Sequence, residues 1–187
     1  QELRFYLSII GISVIFIALN IHFSIYKNIG KSLRDSFFQV SSIITTTGYA
    51  TANYDKWPTF SKAILFMLMF VGGCAGSTAG GMKSIRILVL IKMIKREIMK
   101  IFHPRAVVPV KLGHKALSND MLISISTFSV LYIFIFVLGT LAVSLEGIDL
   151  VSASSAVAAT LSNIGPGLGL VGPARTFSQF SELSKIL

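Results

Sequence analysis

The chain has 187 residues, 53% apolar and only 13% charged, with a formal charge of +9 and a mean hydropathy of +0.74. That composition excludes an ordinary soluble domain and a disordered tail, and the single cysteine, Cys74, excludes both an internal disulfide framework and a thiolate metal cluster. At roughly 20 residues per crossing, the length accommodates about four or five bilayer passages, so the placement of the apolar runs decides the class.

Residues 5–21 (FYLSIIGISVIFIALNI) carry no charge and predict a spanning helix. Residues 32–44 (SLRDSFFQVSSII) are helical in pattern but too short to span, and they end in Thr45, Thr46, Thr47, Gly48, Tyr49. A short helix followed by glycine predicts a re-entrant element, tolerated at membrane depth only where protein or a water-filled cavity receives the irregular backbone. Asp55, Trp57 and Pro58 then read as interfacial, with Pro58 suited to a helix's first turn and Trp57 to the aromatic belt.

Residues 60–71 are apolar and run into Gly72, Gly73, Cys74, Ala75, Gly76, Ser77, Thr78, Ala79, Gly80 and Gly81. Five glycines among ten small residues predict a break, and residues 60–99 read as one membrane path interrupted near its middle. A small-residue packing face and a plain loop between separate elements are the competing readings. Nine of the seventeen basic residues lie between Lys83 and Lys115, against the single acid Glu97, which assigns this stretch to the cytoplasmic side. Alternation of Lys92, Lys95 and Arg96 with Ile91, Ile94 and Ile98 fits a helix lying on lipid headgroups or a partner, stopped by Pro104 and Pro109. The charges abut apolar spans instead of forming a folded basic face, which argues against nucleic acid.

Residues 121–143 form the next uncharged span, delivering Glu146 and Asp149 to the outer face; residues 150–161 are again a short small-residue helix, ended by Ser162, Asn163, Ile164, Gly165, Pro166 and Gly167. Residues 176–187 begin a further helix, and the whole reads as a fragment of a longer protein.

Setting Gly48 against Gly165 gives an offset of 117, at which the long apolar spans and the short helices superpose and Thr45 meets Ser162. The repeat runs helix, re-entrant helix, glycine-centred turn, helix, and both copies start on the cytoplasmic side, so they are parallel repeats about an axis along the membrane normal. Two such turns entering from one face have an economical purpose: carbonyls exposed inside a bilayer replace water around a cation. Ordinary turns at the membrane surface are the bland alternative. Neither long span carries an acid for a proton relay or carboxylate ion site. The stretch ending GGMKS lacks phosphate-loop spacing, and His22, His103 and His114 are too scattered for a metal site, so no enzyme is expected.

These motifs carry a family resemblance. ELRFYL at residues 2–7, SSIITTTGYAT at 41–51, GGCAGSTAGGMKSIR at 72–86, HPRAVVPVKLG at 103–113 and TLSNIGPGLGLVGP at 160–173 resemble the potassium-transporting membrane subunit of bacterial Trk systems, within the Trk, Ktr and HKT superfamily. The resemblance implies an all-α inner-membrane protein with four units of outer helix, pore helix, filter turn and inner helix around one potassium-channel-like pore. Residues 1–102 are similar to the third unit, with a broken inner helix. Residues 103–118 are similar to a cytoplasmic linker, and 119–187 to an incomplete fourth unit.

By the same resemblance, carbonyls of Thr46, Thr47, Gly48 and Tyr49 line one quadrant of the filter and those of Asn163, Ile164, Gly165 and Pro166 the next. Potassium is then held by the carbonyls of Thr47, Gly48, Ile164 and Gly165. Residues 72–81 become a gating loop below the filter, with Lys83 and Arg86 at its cytoplasmic end, where like charge hinders cations when the loop is closed. The expected partners are the remaining pore units, a second membrane subunit forming a homodimer, membrane lipid, and a cytosolic regulatory subunit that alone binds nucleotide. A nonconducting scaffold subunit, or a sodium- or ammonium-selective member of the same superfamily, remains the alternative.

Overall fold

The computed structural model describes residues 1–103, 108–113, 115–182 and 184. Among the described residues its regular elements are helices, apart from one short hairpin in the basic linker. Helix α1 (Glu2–Ile21) continues through a π-helical turn (His22–Tyr26) and is terminated by Lys27 in a left-handed conformation. Together these 25 residues are long and apolar enough to cross a bilayer, with a mean hydropathy of 2.1 over their most apolar 18 residues. One stripe, Ser13, Val14, Ile17, Ala18 and Ile21, is buried against protein, and Leu7, Ile15, Phe16 and Leu19 face outward. Exposed apolar residues of this kind are stable only where lipid or another apolar surface meets them.

Helix α2 (Ile29–Ile44) is capped by the Asn28 side chain, which accepts from the Lys31 N–H at 3.2 Å. It packs back against α1, so the chain reverses direction. After a single 3-10 turn (Tyr54–Lys56), helix α3 (Thr59–Val71) runs to Gly72, and α4 (Ser84–Phe102) starts only after Lys83. The predicted interruption is thus present, and residues 72–83 are not helical. It is an excursion with a closed neck: the Met82 N–H donates to the Phe70 carbonyl at 3.1 Å, and the Ser84 N–H to the Gly73 carbonyl at 3.0 Å.

Helix α4 ends before Pro104; Pro104, Arg105 and His114 lie outside the described residues. The linker holds an antiparallel pair, β1 (Lys111–Leu112) and β2 (Lys115–Ala116), which the sequence pattern does not announce. Lys92 Nζ and the Gly113 N–H both donate to the Gln1 side chain, at 2.6 and 3.2 Å. The start of α1 therefore lies on the same side as the basic segment, the sidedness the charge count requires.

Helix α5 (Asn119–Ser144) is 26 residues, with a mean hydropathy of 2.4 over its most apolar 18, and α6 (Leu150–Leu161) is capped by Asp149, whose carboxylate accepts from the Ser152 N–H at 3.0 Å. Hydrogen bonding from Ser152, through its side chain first and its backbone N–H after it, holds the Asp149 carboxyl below its usual range. The buried face of α6 is small: Ser152, Ala153, Ser155, Ala156, Ala158 and Ala159. Small residues let helices approach closely in lipid, where van der Waals packing replaces hydrophobic driving force.

One apolar core joins the two halves. Ile17, Ile21, Val40, Ile43, Ile44, Leu65 and Met69 pack in the same cluster as Ala158, Ile164 and Leu168. Two expectations are corrected. Trp57 is 3% exposed and packs with Tyr54 inside this core, because the chain after the first turn folds back over α2 instead of lying in the interface. The helix expected from Thr176 starts later: residues 176–181 hold only a 3-10 turn (Phe177–Gln179), with Phe177 and Phe180 packed at 5.6 Å and Phe180 buried, and helical backbone is found at Glu182 and Ser184.

Candidate ion pathway

The two short helices end in turns with the same backbone. Thr46 and Asn163 both have positive φ, 56° and 55°, and two residues later Gly48 and Gly165 do so again, at 77° and 108°. The hydrogen bonds repeat at the same offset of 117. The Thr46 N–H donates to Ile43 O and the Asn163 N–H to Thr160 O; the Thr47 N–H donates to Ser42 O and the Ile164 N–H to Ala159 O. A β-branched threonine in the left-handed region costs about 1–3 kcal/mol and persists only where its surroundings impose it.

This geometry separates the two kinds of backbone group. The N–H groups of Thr46, Thr47 and Gly48 turn back onto the end of α2, while among the described residues no hydrogen bond reaches the carbonyls of Thr46, Thr47 and Gly48. The carbonyls of Asn163, Ile164, Gly165 and Pro166 are equally unengaged by described residues. Tyr49 differs: its carbonyl accepts from the Ser42 hydroxyl at 2.6 Å, and its side chain is exposed.

The turns also lie together. A Cβ added at Gly48 would overlap the Ile164 carbonyl oxygen and press on Pro166, so only glycine permits this approach. Gly48, Tyr49, Gly165, Pro166, Gly172 and Arg175 line one open cavity of about 450 Å³. The Gly48 and Gly165 turns are therefore at one level, and not on opposite faces.

The glycine-rich excursion lies directly beneath. The Gly80 N–H donates to Thr46 Oγ1 at 3.1 Å, and a Cβ at Gly80 would overlap the Ser162 carbonyl. Lys83 folds its ammonium back onto this loop, donating to the Ser77 carbonyl at 2.7 Å and to the Ala79 carbonyl. Arg86 is not brought to the loop; its guanidinium stacks 4.1 Å from the Phe128 ring centroid and joins α4 to α5. Glu2 is brought there instead, its carboxylate accepting from the Ala75 N–H at 2.6 Å and from the Ser84 hydroxyl at 3.3 Å.

The supporting side chains were the least legible part. Gln39 is fully buried, and its amide oxygen, in the orientation that satisfies its neighbours, accepts from the Thr51 and Ala52 N–H groups. Ser155 both donates to the Leu168 carbonyl and accepts from the Leu168 N–H, and Ser152 accepts from the Leu170 N–H. Tyr132 on α5 shares a 2.7 Å hydrogen bond with Ser162. The one available signal was the several polar residues on the buried face of each short helix, Ser36, Gln39 and Ser42 on α2 and Ser152 and Ser155 on α6.

With this geometry in place, comparison with known proteins identifies the family. The profile of TrkH, described as a cation transport protein, matches residues 4–187. The chain belongs to the TrkH family. It is 42% identical over 162 residues to the Trk system potassium uptake protein TrkH of Salmonella typhimurium, covering 87% of this chain and 33% of that protein. Against the Trk system potassium uptake protein TrkG of Escherichia coli it is 36% identical over 187 residues, the whole chain and 38% of the relative.

The crystal structure of the potassium transporter TrkH from Vibrio parahaemolyticus superposes with a TM-score of 0.89 at 38% identity, covering 99% of this chain and 39% of that one. The chain thus spans between a third and two fifths of the length of these relatives. It has the all-α, multi-pass membrane fold of its family.

Proposed function

We propose that this TrkH-family chain supplies two adjacent quarters of a four-unit pore that passes potassium by electrodiffusion. Thr46, Thr47, Gly48 and Tyr49 form one quadrant of the filter and Asn163, Ile164, Gly165 and Pro166 the next. Carbonyls of Thr47, Gly48, Ile164 and Gly165 replace the water around a dehydrated cation. The observation that carries this reading is the repeated pair of left-handed residues, which turns the N–H groups inward to the helix ends and leaves carbonyls without partners among the described residues, at one level. Relatives of this chain are potassium uptake proteins, which supports potassium as the cargo.

Residues 72–81 act as the gate. The loop lies against the inner side of both turns, and its small side chains leave it free to move aside without obstructing the pore. Lys83 neutralises part of the loop's carbonyl field in the closed arrangement and keeps a positive charge in the path of cations. Arg86, at the cytoplasmic end, anchors α4 on α5 while the loop moves. The remaining pore units complete the ring, a second membrane subunit completes a homodimer, and a cytosolic nucleotide-binding subunit engages the basic face of residues 92–115.

Potassium uptake by a transport-deficient cell expressing the full parent chain tests this function. Gly48→Ala is expected to abolish uptake and Gly165→Ala to reduce it, both while inserting normally; normal uptake by both variants would overturn the filter assignment.

A further inference from the structure

The segment after each turn must be held at a fixed distance from the pathway, and the two segments are held differently. The first is bound by its own short helix, through Gln39 and Ser42. The second is bound on one side by Ser152 and Ser155 of α6. Its other side is bound from the first unit. Asp55, in the 3-10 turn after the Gly48 turn, accepts from the Gly169 N–H at 2.9 Å. A Cβ at Gly172 would overlap the same carboxylate, so the residue three positions on has to be glycine for Asp55 to reach the backbone. Among the described residues no Lys or Arg lies within ion-pair distance of Asp55, so its partner is this backbone segment and not a cation.

The positions related by the repeat make the pairing one-sided. Asp55 corresponds to Gly172 at the offset of 117, so the carboxylate of one copy occupies the space left by the missing side chain of the other. Gly169 is four residues beyond Gly165, and between them Leu168 is clamped by Ser155, so a displacement at Gly169 is passed to the turn with little slack.

We infer that Asp55 is a positioning residue for ion selectivity: its carboxylate, seated against Gly172 and hydrogen-bonded to the Gly169 N–H, sets the spacing between the two filter turns. This rests on the filter reading above. Selectivity between potassium and sodium depends on how closely the carbonyls are held, because an ion of different radius is coordinated well only if the ring adjusts. Removing a hydrogen bond to a charged acceptor loosens that spacing and leaves the Gly169 N–H without its partner.

The test uses the full parent protein in proteoliposomes, with rubidium and sodium tracer flux as probes and the rubidium-to-sodium ratio as readout. Asp55→Ala and Gly172→Ala are each expected to lower the ratio about tenfold. Asp55→Asn keeps an acceptor oxygen for the Gly169 N–H and is expected to hold the ratio within about twofold, which separates position from charge. An unchanged ratio in inserted Asp55→Ala overturns the inference, and so does an Asp55→Asn variant as impaired as Asp55→Ala. If Asp55→Ala does not insert, Gly172→Ala decides by the same criterion. A wild-type protein with no preference for rubidium overturns the filter reading itself, whereas a selective wild type with insensitive variants overturns only the role of Asp55.

Discussion

The Gly48 and Gly165 turns have the same backbone and different scaffolds. Both place left-handed residues two apart and return their N–H groups to the same positions of the preceding helix. Around Gly48 the space is filled: the Ile164 carbonyl and Pro166 leave no room for a methyl group. Around Gly165 nothing approaches within 4 Å of an added Cβ, although φ is 108°. The first turn is braced by a buried amide, Gln39, and the second by hydroxyls, Ser152, Ser155 and Tyr132. A repeated backbone thus survives with its supporting side chains exchanged, because the constraint falls on where the carbonyls point and not on which group holds them there.

The difference between the turns gives the largest expected effect. Gly48→Ala meets both an unfavourable φ and a collision, and potassium uptake should fall below detection. Gly165→Ala meets only the backbone cost of about 1–3 kcal/mol, and a measurable fraction of uptake should persist. Equal losses in an uptake assay would mean that the contact between Gly48 and Ile164 carries no weight.

Exchanged braces should fail separately. Gln39→Leu leaves the Thr51 and Ala52 N–H groups without their acceptor, and Ser155→Ala leaves the Leu168 N–H unpartnered and its carbonyl with only the 3.4 Å contact from the Val171 N–H. Each should cost about 1–3 kcal/mol in the thermal or denaturant stability of the purified parent protein. Because the sites serve different segments, the losses should add in the double variant. Tyr132→Phe removes one neutral hydrogen bond to Ser162 and should cost about 1 kcal/mol by the same measurement.

The smallest effect concerns the cap of α6. Asp149 has a depressed carboxyl pKa, so its contribution is present above the unfolded carboxylate value near 4 and is lost as pH falls through the folded value. Asp149→Ala should therefore lower stability by about 0.5–1 kcal/mol at neutral pH, the low end for an exposed cap. The deficit should disappear in acid, and a deficit independent of pH would remove the charge from the explanation.

The helices were legible because their pattern and composition are local. Residues 150–161 were bounded by sequence as α6 is in the structure, and residues 121–143 fall inside α5. The break at residues 72–81 was legible because five glycines in ten residues leave little to hold a helix. Asp55, Trp57 and Glu2 were not, because each depends on a distant segment: Asp55 meets Gly169, Glu2 meets Ala75 and Ser84, and Trp57 is covered by the fold-back after the first turn. A charged or aromatic residue beside an apolar span reads as interfacial until the chain that covers it is known. The start of the last helix was misplaced for the opposite reason, since residues from Thr176 have helical composition but Phe177 and Phe180 form a local turn first, and helical backbone begins only at Glu182.

The central claim is that the two turns face one cation. Crystals of the full parent protein grown with thallium, a heavy stand-in for potassium, test it through anomalous scattering. Density in contact with the carbonyls of Thr47, Gly48, Ile164 and Gly165 is the expected result; thallium bound elsewhere in the protein, with none between these turns, would contradict it.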